Sequence, residues 1–157
     1  MRRLLDPSVA RVKYAGALGE LQSIEDTYKE IWRIRHAEYP IILIDIISAK
    51  SRNPCLTLYL DLRNYDFAPP SATLLTMDLR KRLLPENVPA VVEGSESAKG
   101  HLAGTPQTGL WFCSPSFYEY HDFYYPLDRW ESIRGTDMGK LTWIVNQACN
   151  LVDRQRI

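Results

Sequence analysis

The sequence predicts an α+β domain built from an N-terminal helix, a small antiparallel meander sheet and a C-terminal helix. Three observations carry that prediction. Apolar residues recur at helical spacing near the N-terminus and again after Gly139; two apolar runs of strand length lie between these stretches; and a double proline, Pro69 and Pro70, separates the second run from a third extended segment. At 157 residues the chain suits one domain spanning 1–157, and a 45% hydrophobic, 24% charged composition supplies a core without staples.

The elements follow in order. Asp6 before Pro7 is a helix start, because a short carboxylate accepts from free backbone donors and proline suits the first helical position. Val9, Val12, Leu18, Leu21, Tyr28 and Ile31 then form an apolar stripe, predicting one long helix that stops before Pro40, with His36 at its end as a cap or surface residue. PIILIDIISAK is β-branched and apolar, and LTLYLDL alternates, with Leu56, Leu58, Leu60 and Leu62 on one face; the two read as antiparallel neighbours. Pro69 and Pro70 remove ladder donors and belong outside regular pairing, with Tyr65 and Phe67 packing the turn from the same side, before SATLLT resumes extended structure. The stretch from Pro85 to Thr108 is rich in Gly, Pro, Ser and Glu and reads as a long surface loop. After Gly139, the spacing of Leu141, Ile144, Val145, Ala148, Leu151 and Val152 marks a helix packed on a core, with Cys149 beside its stripe.

Lys plus Arg equals Asp plus Glu, so no global field favours nucleic acid or an anionic membrane surface. Cys55, Cys113 and Cys149 form no close CxxC pair, which argues against a disulfide framework or zinc ribbon and for a reducing compartment. No segment reaches membrane-spanning length and MRRLLDPSVARV lacks the apolar centre of a signal peptide, so the expected location is the cytoplasm. The aromatics from Phe117 to Tyr125, with no basic run beside them, suit burial or a protein interface rather than base stacking.

Among the thiols, Cys149 and Cys55 suit structural positions. Cys113 lies in TGLWFCSPSF, where the following Ser-Pro breaks regular structure and can leave a thiol accessible. The chain resembles the ubiquitin-conjugating enzyme family on an ordered set of short motifs. Tyr65, Asp66, Phe67, Ala68, Pro69 and Pro70 stand for that family's Tyr-Pro-Phe-x-Pro-Pro-like turn; SATLLT for the next strand; His101 for its loop histidine; Gly109 through Cys113 for the glycine and active cysteine; and Trp130 with GKLTWIVNQACNLV for its tryptophan and helix. The resemblance covers roughly positions 7 to 152 and suggests a divergent, bacterial member. It implies that Cys113 accepts a ubiquitin-like protein from a ubiquitin-activating-enzyme-like protein as a thioester and passes it to an amine of an acceptor protein, without cofactor or metal. The alternative is a catalytically silent relative that binds ubiquitin-like proteins or scaffolds an activating enzyme.

The family's His-Pro-Asn tripeptide is replaced by GHLAGT, which removes the asparagine thought to support the oxyanion. Backbone amides near Cys113, the Ser114 hydroxyl or His121 would have to take its place. His101 fits a loop-organising role; His121 is either a base or oxyanion partner or a packing residue among tyrosines. His101, Cys113 and His121 could together suit zinc, but their spacing matches no zinc signature and no fourth ligand is nominated.

Overall fold

Helix α1 (Pro7–Tyr28) begins as its sequence requires: the Asp6 carboxylate accepts from the Ser8 N–H at 2.9 Å, with proline at the first helical position. This computed structural model describes residues 4–88, 102–123 and 129–152. The buried face of α1 is Ala10, Tyr14, Ala17 and Leu21 rather than the valine stripe; Val9 and Val12 are 45% and 72% exposed. The Tyr14 hydroxyl on this face donates to the Ile41 carbonyl at 2.9 Å, joining the helix to the sheet.

The helix ends well before the expected stop at Pro40. Residues Trp32–Glu38 form strand β1 instead, paired antiparallel with β2 (Ile41–Ile47) from Trp32↔Ile46 to Glu38↔Ile41. The ladder supplies backbone partners along the strand, and this hairpin pairing overrides the helical periodicity that Ile31 would extend. His36 is therefore a strand residue beyond a bulge, not a helix cap; it is exposed, with Nε2 3.6 Å from a Glu38 carboxylate oxygen.

Strands β3 (Pro54–Asp61) and β4 (Ser71–Leu75) complete an antiparallel meander in the order β1-β2-β3-β4. Ile42, Ile44 and Ile46 pair across with Leu60, Leu58 and Leu56, and all six are fully buried along with Leu62. Burying one such side chain is worth ~1.5–3 kcal/mol, so this single face dominates the core. Pro69 and Pro70 lie outside the ladder as expected. Tyr65 packs inward, whereas Phe67 is 46% exposed and does not share that packing.

A short 3-10 turn (Pro85–Asn87) follows. The expected long loop then departs from expectation, because Leu102–Thr105 is strand β5, paired antiparallel with β6 (Gly109–Phe112). Helices α2 (Tyr118–Phe123) and α3 (Trp130–Ile133) are short, and a 3-10 turn (Asp137–Gly139) leads into α4 (Leu141–Val152). Every position of the stripe from Leu141 to Val152 is buried, as is Cys149 beside it. Buried residues from α1, the sheet, the hairpin and α4 meet in one cluster. Trp32 anchors the two ends of the chain, its indole N–H donating to the Asn146 side-chain oxygen at 2.9 Å. Among the described residues, no helix is long and apolar enough to cross a membrane.

Candidate functional site

Cys113 is the first residue beyond β6, so the β5–β6 hairpin sets its position. The hairpin closes tightly: Gly104 has φ +141°, and a Cβ there would collide with the Gly109 carbonyl, which leaves glycine as the residue that fits. The Thr73 hydroxyl donates to the Leu110 carbonyl at 3.3 Å and ties the hairpin to β4.

The chain then turns sharply through Cys113, Ser114, Pro115 and Ser116. The Ser114 N–H donates to the Phe112 carbonyl at 2.9 Å, and the Phe117 N–H to the Ser114 carbonyl at 3.1 Å. The Phe112 and Phe117 rings stack with centroids 4.6 Å apart, closing the base of the turn with apolar surface. The buried Ser116 hydroxyl donates to the Met138 carbonyl at 3.2 Å, fastening the turn to the segment ahead of α4.

Helix α2 holds the turn from the other side. The Tyr118 N–H donates to the Pro70 carbonyl at 3.0 Å, and the Glu119 carboxylate accepts from the Ser71 hydroxyl and, at 3.3 Å, from the Ala72 N–H. Pro69 and Pro70 matter here because they take the chain out of the ladder and leave the Pro70 carbonyl for α2. His121 reaches back so that Nε2 lies 2.7 Å from the Pro115 carbonyl. A carbonyl only accepts, so the Nε2 proton is committed to this bond and any base role falls to Nδ1.

The Cys113 thiol is half-buried, and burial pushes its pKa above the ordinary thiol value because the charged thiolate is the form that loses solvation. Cys55 is also half-buried, its thiol donating to the Ile46 carbonyl at 3.4 Å, and Cys149 is enclosed in the core.

Of the three residues nominated from sequence, the fold brings Cys113 and His121 to one turn and its supporting helix; His101 lies outside the described residues. Among the described residues, no group of three or more His, Cys, Asp and Glu side chains is arranged to hold a metal ion. Sequence reasoning passed over Glu119 and Ser116, which fix the turn; an acidic residue in the first turn of a short helix was the available signal for Glu119. The sequence marks Trp130 only as a motif position, and Tyr65 as a residue that packs the turn, without the bonds either makes. The buried Tyr65 hydroxyl donates to the Gly139 carbonyl at 2.6 Å, and the Trp130 indole N–H to the Asp66 carbonyl at 2.9 Å. The first bond ties the double-proline turn to the 3-10 segment that receives Ser116, and the second ties it to α3.

Residues 5–88 match the family model described as Y4jH-like, the Y4jH family, over more than half of the chain. The chain belongs to the Y4jH-like family. No curated protein matches it. The segment shared with the Y4jH-like family runs from the start of α1 past β4 to Val88, so it takes in the meander and the double-proline turn and stops before the hairpin that carries Cys113.

Proposed function

We propose that this protein is a ubiquitin-conjugating-enzyme-like acyl carrier that holds a ubiquitin-like protein as a thioester on Cys113. The observation that carries the reading is the setting of that thiol: half-buried, first after a strand, on a turn pinned to both the double-proline segment and the segment before α4. A carrier needs its sulfur held still, since positioning supplies most of the rate when a large acyl donor docks.

The Cys113 thiolate attacks the thioester carbonyl delivered by an activating enzyme, giving a tetrahedral oxyanion that collapses with departure of the donor thiolate. An acceptor amine then attacks the new carbonyl, loses a proton to a base, and expels the Cys113 thiolate. Thiolate replaces thiolate in the first step, so the transfer is close to balanced in free energy. Incubation with the cognate activating enzyme, ubiquitin-like protein and ATP should give a reductant-sensitive adduct that Cys113→Ala abolishes while Cys55→Ala and Cys149→Ala retain it. An adduct persisting in Cys113→Ala would remove the carrier role.

A silent scaffold that binds ubiquitin-like proteins is the second reading, favoured by the upward-shifted thiol. It predicts binding of the ubiquitin-like protein with no adduct at any pH.

A further inference from the structure

We infer that the Ser114 hydroxyl is the oxyanion donor for acyl transfer at Cys113, in the place where the resembled family uses an asparagine; this rests on Cys113 being an acyl-accepting nucleophile. Ser114 is buried, with only 5% of its surface exposed, and its hydroxyl has no hydrogen-bond partner among the described residues. A buried hydroxyl without a partner is uncommon, because it forfeits its bonds to water and gains none in return. Such a group is retained where something else will occupy it.

The neighbouring donors sharpen the assignment. The Ser114 N–H is committed to the Phe112 carbonyl, the Phe117 N–H to the Ser114 carbonyl, and the Tyr118 N–H to the Pro70 carbonyl. The Ser116 hydroxyl is committed to the Met138 carbonyl and the Nε2 of His121 to the Pro115 carbonyl. The free hydroxyl on the turn is that of the residue directly following the nucleophile, in a low-solvent setting where a donor to a developing negative charge is worth most. The step is balanced without a co-reactant: the thiolate adds to the carbonyl carbon, the π electrons move to oxygen, the Ser114 O–H donates a hydrogen bond without losing its proton, and collapse returns the electrons as the leaving group departs.

The test separates reactions that build an oxyanion from one that does not. Acylation of Cys113 by p-nitrophenyl acetate passes through a tetrahedral oxyanion, whereas alkylation by iodoacetamide is a direct displacement at carbon. Both are followed by intact-mass analysis on Cys55→Ala/Cys149→Ala protein. Ser114→Ala should slow acylation by ~100-fold, the scale for loss of one oxyanion donor, while alkylation stays within twofold and the melting temperature holds or rises, since an unsatisfied buried hydroxyl has been removed. Ser114→Thr, which retains a hydroxyl, should recover part of the acylation rate. Equal acylation in wild type and Ser114→Ala, or parallel loss of acylation and alkylation, would overturn the assignment. Failure of wild-type Cys113 to acylate at all while it still alkylates would instead overturn the acyl-carrier reading beneath it.

Discussion

Replacing His121 by alanine tests whether the turn that presents Cys113 is held from α2. The bond lost is the 2.7 Å contact from Nε2 to the Pro115 carbonyl, which links two residues six positions apart and ties the imidazole to the turn. A neutral hydrogen bond of this kind contributes a net ~1 kcal/mol. If that amount separates the closed turn from an opened one, the open population rises about fivefold, and the half-buried thiol should alkylate faster by up to that factor. The same loss should lower the melting temperature by ~2–4 °C for a domain of this size. Iodoacetamide labelling of Cys113, resolved by peptide mass at fixed pH, reads the first quantity and differential scanning calorimetry the second. His121→Gln keeps an amide donor and should fall between wild type and His121→Ala. Wild-type labelling and melting in His121→Ala would refute a positioning role. Slower labelling would refute the direction of the argument, since it would mean that the ring promotes reactivity and does not restrain the turn.

Three further outcomes are expected. The rate of Cys113 alkylation should climb with pH and reach its midpoint above that of a free cysteine, because burial raises the folded-state pKa; the corresponding stability is complete below the unfolded thiol pKa and is lost as pH rises through the folded value. A midpoint at or below the free-cysteine value would show a stabilised thiolate instead. Tyr65→Phe leaves the Gly139 carbonyl without its buried donor and should cost ~1–3 kcal/mol in chemical denaturation, with an unchanged m-value. Gly139→Ala should destabilise further than Tyr65→Phe, since its Cβ would lie 2.7 Å from the Arg134 carbonyl carbon and backbone must shift to admit it; a melting curve that overlays wild type would show that the close approach yields readily.

The parts of the fold legible in the sequence are those whose side chains alone fix the pattern. Leu56, Leu58, Leu60 and Leu62 alternate without exception, and the C-terminal stripe is dense enough to define one helical face, so both were read correctly. On the predicted stripe of α1, Leu21 is buried and Leu18, Tyr28 and Ile31 pack against the core, but its first turns differ: Ala10 and Ala17 carry little apolar weight in sequence yet are buried, while the bulkier Val9 and Val12 face solvent. Strand β1 was hidden because no Gly or Pro separates it from α1, and its identity comes from pairing with β2. Strand β5 lies in a polar stretch and owes its form to the close approach of Gly104 to the facing strand. At the candidate site, the thiol after a strand and before Ser-Pro was visible. Which donors are already occupied was not, because the acceptors at Pro70 and Met138 lie far from the turn in sequence.

The bond between Trp32 and Asn146 has a bearing on how the chain acquires its structure. It joins residues 114 positions apart, and α1 packs against α4 at the other end of the sequence. The isoleucine and leucine face of the meander belongs to the same buried cluster as Ile144 and Val145, so a nascent chain that has emerged only as far as β4 has formed its ladders with part of their apolar cover still missing. Folding must wait on the last helix, which places the closing step after synthesis of residue 152 and makes it slow by the measure of sequence distance between contacts. The ties that set the turn bearing Cys113 run to Thr73, Pro70 and Met138, all of which precede α4, so truncation ahead of α4 leaves those partners in the chain but removes part of the apolar cover on which the sheet beneath them depends.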